Sequence, residues 1–348
     1  MSAPIVLAID GGNSKTDLAL VRADGEVLSL VRGGLSSPHH LGLDGALEVI
    51  DDLLARALAD AGIENGAGPV ADVGHLLLAG VDFPSEVEQM QEAAGGRGFA
   101  ANVTVGNDTL AVLRAGTKDG WGVAIVCGAG INCVGVTREG RHARFPALGW
   151  TTGDWGGGYD VGLAATVAAA RSEDGRGEKT TLERAVPEHF GLETPMQLAE
   201  AVHAGRISQR RVVELAPVVF AEADHDAEAG AIVDRLAEEV VTMIRVTLDR
   251  LELTREPVPV ALGGGLMQSG DSRLIGAVKA GLARVAPAAS VHVTSSPPIV
   301  GAALLGLDEL GAGDGAQERL RRELGRVFTN VETPQPPDGR ARPGRSRR

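Results

Sequence analysis

The sequence predicts an α/β protein of two domains that share one plan. At 348 residues the chain exceeds the usual length of a single domain. Segments of strand and helix character alternate along it. Both halves also begin with the same order of strand, glycine bend and strand, at Ile5–Leu20 and at Trp121–Val136. We therefore expect one structural unit that occurs twice without obvious sequence repetition.

The first half predicts three strands, a helix and two more strands. Runs or alternation of apolar residues mark the strands, which are Ile5–Asp10, Thr16–Arg22, Gly25–Val31, Gly74–Gly80 and Ala101–Gly106. Between the third and the fourth, apolar residues recur at helical spacing over Leu43–Ala61, and Gly62 ends that helix. This order is typical of an α/β unit.

The second half repeats the opening and then becomes mostly helical. Its predicted strands are Trp121–Cys127, Ile131–Thr137, Val258–Leu262 and Ser290–Thr294. Its predicted helical segments are Gly158–Ala170, Thr181–Ala204, Ser208–Ala223, Ala227–Leu251, Ile299–Leu310 and Gly315–Val327. Two prolines introduce the helix that begins at Ile299.

Charge and composition narrow the classes of partner. The formal net charge is −13, and the segment 333–348 holds five Arg and one Asp, which leaves −17 on the other residues. A surface this acidic repels nucleic acid and anionic membranes. The segment 328–348, rich in Pro, Gly and Arg, predicts a disordered tail rather than a binding arm.

The same features predict a cytoplasmic location. No apolar stretch approaches the ~20 residues of a membrane span. The N-terminal residues lack the basic region of a signal peptide. Two cysteines, Cys127 and Cys133, cannot build a disulfide framework, which is typical of a protein in a reducing compartment.

In the stretch IVLAIDGGNSKTDLAL, the first strand ends in an acid and two glycines, Asp10, Gly11 and Gly12. Glycine lets backbone N–H groups approach a phosphate, because it has no side chain to hold the ligand away. Asp10 is then suited to face Mg²⁺, which prefers oxygen ligands. Taken alone, the pattern is equally consistent with a hairpin turn that follows a strand-end aspartate.

Two more glycine bends follow. Cys127–Asn132, CGAGIN, superficially matches a dinucleotide-binding fingerprint, but a strand follows it where that fingerprint needs a helix. Gly263–Gly265 comes after a strand and before a helix. Two strand–bend–strand elements together with a third glycine bend are more informative than any one of them.

In these features the sequence resembles the actin-like ATPase superfamily, which includes sugar kinases, actin and Hsp70. Asp10–Thr16 matches the first phosphate loop, Gly128–Asn132 the second, Leu262–Gly270 the adenosine segment and Pro297–Gly306 the closing connector helix. Within the superfamily, the runs DGGNSKTD, GND at 106–108, GAGINC at 128–133 and GWTTGDWGGGYDVG at 149–162 most resemble the branch of N-acetylglucosamine kinases and BadF/BcrA-type ATPases.

The resemblance implies an actin-like ATPase (ribonuclease H-like) fold with a ligand cleft between two domains. It divides the chain into an N-terminal domain at 1–115 and a C-terminal domain at 116–298, with the helical segment at 299–327 returning to the first domain. It also implies hinge closure over the substrate. Homodimers are common in the resembled family.

The implied activity is ATP- and Mg²⁺-dependent transfer of the γ-phosphate to the 6-hydroxyl of an amino sugar, N-acetylglucosamine or glucosamine. Asp108 is the implied catalytic base, although its place before a helix by itself favours an N-cap. Asp10 is the implied Mg²⁺ residue. The implied ATP contacts are Gly11, Gly12, Asn13, Ser14, Lys15, Thr16, Gly128, Ala129, Gly130, Gly264 and Gly265.

The residues that would identify the sugar match the family motifs less closely than the phosphate loops do. The implied sugar contacts are Ser37, His39, Asn107, Asp108, Asn132, Asp154, Tyr159 and Asp160. Relatives commonly have Gly-Asp-Glu-Gly-Ser where this chain has GDWGG at 153–157, and often Asn where it has Ser37. The spare carboxylates of Asp154 and Asp160 keep glucosamine open, since a free amine favours a carboxylate. The indole of Trp155 suits either a sugar ring face or packing between domains.

Two other functions stay open. An ATPase that activates a partner redox enzyme would bridge two subunits with an iron–sulfur cluster, but Cys127 and Cys133 lie inside the phosphate-loop run instead of forming the characteristic pair. A non-catalytic sugar sensor would carry a DNA-binding extension, and no helix-turn-helix precedes Ile5. The adjacent His39 and His40 lack a third ligand at the spacing of a zinc site.

Overall fold

The computed structural model of the chain describes residues 3–330, apart from 65 and 67. Its strands are β1 (Ile5–Gly11), β2 (Thr16–Arg22), β3 (Val27–Gly33), β4 (Ala71–Leu78), β5 (Ala100–Asn107), β6 (Gly122–Cys127), β7 (Ile131–Val136), β8 (His142–Arg144), β9 (Pro259–Gly263) and β10 (Ser290–Val293).

The helices follow in the same numbering. They are α1 (Pro38–Ala61), α2 (Pro84–Gly95), α3 (Thr109–Gly116), α4 (Gly157–Glu173), α5 (Leu182–His189), α6 (Pro195–His203), α7 (Ala216–Glu222), α8 (Ala227–Leu251), α9 (Gly265–Gln268), α10 (Ser272–Val285), α11 (Pro298–Glu309) and α12 (Asp314–Asn330). Short 3₁₀ segments cover Gly149–Thr151 and Gln209–Leu215.

The strands form two five-stranded sheets of the same order. The first runs β3-β2-β1-β4-β5 and the second runs β8-β7-β6-β9-β10. In each sheet the first three strands of the unit pair antiparallel, and the last two are added in parallel beside the first strand. The expected repetition of one structural unit is therefore confirmed at the level of topology.

The first sheet is covered on both faces, which explains why β1 is apolar throughout. Leu7 and Ile9 pack with α1 on one face, whereas Val6 and Ala8 pack with α11 on the other. Because successive side chains of a strand point to opposite faces, both faces need apolar residues. The last helices of the chain thus complete the core that the first strand begins.

The second sheet has a larger core of its own. Val123 and Ile125 of β6 pack with Ile244 and Leu248 of α8 on one face. On the other face Ala124 packs with α3. Since α3 also contacts α11 extensively, these two helices lie between the two sheets.

The crossing of α3 and α11 is unusually close. A Cβ at Gly301 of α11 would lie 1.8 Å from the carbonyl oxygen of Ala111 in α3. Beside this crossing, Arg114 is 1% exposed and donates to both carboxylate oxygens of Asp308, at 2.6 and 2.9 Å. Glycine allows the close approach, and a bidentate ion pair fixes its register.

Some element predictions are wrong. The helices α2 and α10 and the short strand β8 were not predicted. The predicted helix Leu43–Ala61 is present, and α1 has a further turn, 38–41, ahead of a break at Gly42, whose φ is +69°. The predicted helical segment Thr181–Ala204 is broken, because Pro195 starts a new helix that the Thr194 hydroxyl caps. The first half of Ser208–Ala223 is 3₁₀ rather than α-helical.

At the C-terminus, α12 continues three residues into the predicted tail. The remaining residues of that tail, 331–348, lie outside the described part.

None of the helices within the described residues is both long enough and apolar enough to cross a bilayer.

We predict that Gly301→Ala lowers the free energy of unfolding by about 1–3 kcal/mol, because the new methyl group must push α3 and α11 apart. Urea unfolding measures the change. The matched control is Gly276→Ala in α10, where a Cβ meets nothing within 4 Å. Alanine at this exposed helical position is expected to stabilise the protein by about 0.5–1 kcal/mol. Equal effects of the two substitutions would contradict a tight crossing.

Candidate active site

The ends of three parallel strands meet at one edge of the first sheet, and an aspartate stands close to each. Gly11 pairs with Leu78 and Leu78 pairs with Asn107, so β1, β4 and β5 end side by side. Three acids belong to these strand ends: Asp10 in β1, Asp82 in the turn after β4 and Asp108 after β5. Parallel pairing therefore gathers carboxylates that are far apart in sequence.

The first glycine bend, 11–16, has a buried base and an exposed tip. A Cβ at Gly11 would lie 2.5 Å from Ser36 Oγ, so only glycine fits there. Thr16 is buried too, and its hydroxyl donates to Ser36 Oγ at 2.7 Å. The residues of the tip are exposed: Asn13, Ser14 and Lys15. The tip is the part of this bend that can reach a ligand.

The second glycine bend, 128–130, is held by the start of α4. The Gly158 N–H donates to the Gly128 carbonyl at 2.8 Å, and the Tyr159 N–H donates to the Ala129 carbonyl at 2.9 Å. On the other side the bend is open, because a Cβ at Gly128 or Gly130 would meet nothing within 4 Å. A ligand can therefore approach this backbone closely.

The third glycine bend packs directly against the second. Gly264 has a φ of +89°, and a Cβ there would lie 2.4 Å from the Cys127 carbonyl oxygen. Gly265 begins α9, and a Cβ at that position would meet open space. The parallel pairing of β6 with β9 thus brings the second and third bends together.

A cavity of about 230 Å³ opens between the two sheets where these elements meet. Several predicted site residues line it: Asn13, Asn107, Asp108, Gly128, Ala129, Gly130 and Asn132. Gly80 and Asp82 from the first sheet, with Val126 and Ile131 from the second, form further walls. The cavity is therefore shared between the two structural units.

Asp108 borders the cavity without capping the helix that follows it. Its side chain makes no capping hydrogen bond to α3. The Asn107 side-chain oxygen instead accepts from the Thr109 N–H at 3.2 Å and from its hydroxyl at 2.5 Å. Burial, and next the charge of Asp82, raise the pKa of Asp108 to about 6. A carboxyl with this pKa can exchange protons near neutral pH, which favours a chemical role over the N-cap alternative.

Asp10 lies in a cluster of like charges. It faces Asp17 across the β1–β2 pair, and Arg32 donates to both carboxylate oxygens of Asp17 at 2.6 and 2.9 Å. Burial, followed by the charges of Asp108 and Asp17, raises the pKa of Asp10 to about 8. Its ionised form is therefore destabilised, and a nearby cation would relieve that cost.

A single buried acid fits the way in which proteins hold Mg²⁺. This ion usually takes one or two carboxylates and completes its shell with water and substrate phosphates. Asp10, directly before the first glycine bend, would supply that carboxylate. Across the described residues there is no group of three or more His, Cys, Asp or Glu side chains that could form a complete protein cage for a metal.

Five predicted sugar residues lie outside the cavity lining. Ser37 is buried against Gly80, and its hydroxyl has no partner among the described residues. His39 stands in the first turn of α1, with its Nε2 3.9 Å from Asp82 Oδ2. Both residues therefore lie next to residues that line the cavity, Gly80 and Asp82.

The remaining three belong to the segment 149–160 and have structural contacts. Asp154 accepts from the Thr152 hydroxyl, and Asp160 accepts from the Gly156 N–H at 2.9 Å. Tyr159 packs against the core of the second sheet. The neighbouring Trp155 ring lies 4.0 Å from the guanidinium carbon of Arg235 in α8, which favours the packing alternative for this indole.

Sequence reasoning missed two polar residues: Asp82, which lines the cavity, and Arg144, which pairs with it. A signal existed for Asp82, because it follows a predicted buried strand and the carboxyl ends of parallel strands share an edge. Arg144 lies in β8, and nothing local in the sequence shows that this strand reaches across to the first sheet.

The two cysteines are buried in the second core. Burial raises the pKa of the Cys127 thiol and of the Cys133 thiol to about 12, so both stay protonated. A larger cavity, about 390 Å³, lies among α4, α5 and α6, and its walls are mainly apolar. The smaller cavity is the one that Asp82, Asp108 and the second glycine bend line.

Two sheets of identical order, with glycine bends and acids facing a shared cavity, define the class of actin-like ATPases and sugar kinases. A known structure supports this class. A protein from Chromobacterium violaceum, provisionally assigned as an N-acetylglucosamine kinase, superposes with a TM-score of 0.69 at 26% identity, over 88% of this chain and 100% of that one.

The chain belongs to the BadF/BadG/BcrA/BcrD ATPase family, whose sequence profile matches residues 7–306. Two characterised proteins are similar at 27% identity. One is the N-acetylmuramic acid/N-acetylglucosamine kinase of Clostridium acetobutylicum, aligned over 76% of this chain and 86% of that protein. The other is the N-acetyl-D-glucosamine kinase of Dictyostelium discoideum, aligned over 88% of this chain and 99% of that protein.

We predict that Asp10→Asn stabilises the ligand-free protein near pH 8. The folded pKa of about 8 exceeds the ordinary 3.8, so the folded state binds a proton that the unfolded state releases, and stability falls as pH rises through this window. Asparagine lacks that cost. Urea unfolding with a chelator present should show a gain of at least about 1–2 kcal/mol at pH 8, and the gain should become smaller as the pH is lowered towards 3.8.

The exposed acid Asp52 in α1 provides the control. Asp52→Asn should change the free energy of unfolding by less than about 0.5 kcal/mol at either pH. A loss of stability in Asp10→Asn near pH 8 would show that the carboxylate is not strained in the folded protein.

Proposed function

We propose that the protein is an ATP-dependent amino-sugar kinase that transfers the γ-phosphate to the 6-hydroxyl of N-acetylglucosamine or glucosamine. The observation that carries this proposal is the carboxyl of Asp108, with a raised pKa, on a cavity that the second glycine bend also lines. The similarity to two named amino-sugar kinases over most of the chain supports it.

In this proposal Asp108 is the general base. Its carboxylate accepts the proton of the attacking sugar hydroxyl while the hydroxyl oxygen forms a bond to the γ-phosphorus. The bond from that phosphorus to the β,γ-bridging oxygen breaks, and ADP leaves with the electron pair. Since α3 is buried between the sheets, the residue at its start is held on a rigid element.

The glycine bends have a positioning role. The tip of the first bend, including Lys15, and the open backbone at Gly128 and Gly130 would hold the phosphates in line with the sugar. The bend at Gly264 and Gly265 would approach adenosine. Mg²⁺ bound with the nucleotide would neutralise charge that develops on the phosphates. Asp10 would hold that ion at the end of β1.

Among the candidate sugars we favour N-acetylglucosamine. Both characterised relatives are named for it, and amide side chains at Asn13, Asn107 and Asn132 line the cavity. Asp154 and Asp160, which kept glucosamine open, have other partners in the structure. The lactyl group of N-acetylmuramic acid, a substrate in the name of one relative, makes that sugar a useful member of a test panel.

A cytoplasmic setting and a homodimeric state belong to the same proposal. Two buried free thiols support the former, and the resemblance to dimeric kinases supports the latter. The acidic net charge argues against nucleic acid and anionic membranes as partners. For the alternative of a redox-enzyme activator, both thiols are buried and protonated rather than available to a cluster shared with a second chain.

Phosphorylation of a sugar panel tests the activity. Coupled measurement of ADP release should show turnover with N-acetylglucosamine above that with glucosamine or glucose. Asp108→Asn should lower kcat by about 10²–10⁴-fold while the Kd for ATP stays unchanged. The exposed Asp119→Asn, just past α3, is the matched control and should retain full turnover. Turnover that does not depend on any sugar would exclude the kinase proposal.

The pH dependence tests the base. Because the pKa of Asp108 is raised to about 6, its reactive ionised form is lost as the pH falls through that value. We expect kcat/KM for the sugar to decline about tenfold per pH unit below this midpoint. Excess Mg²⁺ keeps the nucleotide in its metal complex throughout. An acid limb centred near the ordinary aspartate pKa would instead point to another group.

A further inference from the structure

A buried carboxylate that the proposed reaction does not use stands beside Asp108. The Asp82 side chain is 10% exposed and borders the same cavity. Its Oδ1 accepts from Asn107 Nδ2 at 3.0 Å and from Arg144 Nη2 at 3.1 Å. Asn107 belongs to the first sheet and Arg144 to the second, so two donors from opposite sides of the cavity fix one oxygen.

The Arg144 guanidinium makes more than this one contact. Its Nη1 donates to the Val81 carbonyl at 3.2 Å, and its Nη2 also donates to the carbonyl of Asp82. The guanidinium is 19% exposed. The guanidinium, which belongs to the second sheet, therefore bonds both the backbone and the Asp82 side chain of the turn after β4 in the first sheet.

The second oxygen of Asp82 has a different environment. No hydrogen bond to Oδ2 occurs among the described residues, and His39 Nε2 lies 3.9 Å from it. Each carboxylate oxygen can accept more than one hydrogen bond. Oδ1 is held in place by two donors, and Oδ2 has no donor among the described residues. Oδ2 is therefore suited to accept a hydrogen bond from a hydroxyl group of a ligand.

Resting on the proposed kinase function, we propose that Asp82 is a sugar-recognition residue whose Oδ2 accepts a hydroxyl of the amino sugar. Asn107 and Arg144 are positioning residues that hold its Oδ1. Because Arg144 comes from the second sheet, sugar recognition on the first sheet then depends on contact between the two units.

The electrostatics around Asp82 agree with this role. Burial raises the pKa of Asp82, and Glu86 also raises it, whereas Arg144 and His39 lower it. The guanidinium thus helps to keep the carboxylate ionised inside the cavity, where an unpaired charge would be costly. An ionised acceptor makes stronger hydrogen bonds than a neutral one.

Replacement of Asp82 by Asn gives the principal test. The amide is similar in shape but lacks the charge, so KM and the calorimetric Kd for N-acetylglucosamine should rise about tenfold or more. KM for ATP should stay within about twofold, because the phosphate-binding bends are untouched. The matched control is Glu88→Gln, an exposed acid on α2, which should change neither constant.

Variants at Arg144 separate positioning from folding. Arg144→Gln should raise KM for the sugar in the same direction as Asp82→Asn, and Arg144→Lys should restore part of the loss by returning a donor and a charge. Arg141→Gln removes a neighbouring exposed cation and should have no effect. A purely structural role would lower the unfolding midpoint and weaken ATP binding as well.

Deoxy analogues of the sugar identify the hydroxyl. The analogue that lacks the contacted hydroxyl should bind the wild type and Asp82→Asn with the same Kd, since neither protein can make the bond. If Asp82→Asn leaves KM and Kd for every sugar within about twofold of the wild type, the recognition role is wrong while the kinase function stands. Wild-type protein that neither binds nor phosphorylates any amino sugar overturns both.

Discussion

The parallel pairing of β1, β4 and β5 is the constraint on which the candidate site depends, because it gathers negative charge at one sheet edge. Asp10, Asp82 and Asp108 come from distant parts of the sequence, and burial raises the pKa of each. The charge of Asp108 adds to the rise at Asp10, and the charge of Asp82 adds to the rise at Asp108. A protein selected only for stability would avoid such a cluster. The cluster requires compensating cations, which Arg32 and Arg144 supply in part, and a bound Mg²⁺ would supply more.

The two sheets share one topology but bring different chemistry to the cavity. The first contributes Asp82, Asp108 and the amides of Asn13 and Asn107, whereas the second contributes the open backbone of 128–130 and the amide of Asn132. A phosphate needs backbone that no side chain obstructs, and a sugar hydroxyl needs an acceptor. Duplication of the unit therefore provides two facing edges of similar geometry with different side chains, and these suit different parts of a ligand.

The fold was largely predictable from the sequence because its strongest signals are local. Strand β1 is apolar on both faces, and α8 has a regular apolar spacing. The helix α2 and the strand β8 carry few apolar residues and depend on tertiary contacts, so periodicity did not reveal them. In the site, the glycine bends stand out in the sequence, whereas the role of Asp108 is implied only by the family resemblance. Asp82 and Arg144 were missed because their partnership exists only across the cavity.

The same geometry links the cavity to the core between the sheets. Asp108 stands at the start of α3, which crosses α11 where Gly301 lets the two backbones touch. The Arg114–Asp308 pair resists sliding of α3 against α11, so a rotation of one sheet against the other would pivot near that crossing. Asp108 lies close to the crossing, so such a rotation would move it little, whereas it would change the distance between Arg144 and Asp82 more, since these two residues come from opposite sheets. Removal of water from the cavity during such a motion would strengthen the ion pair between them.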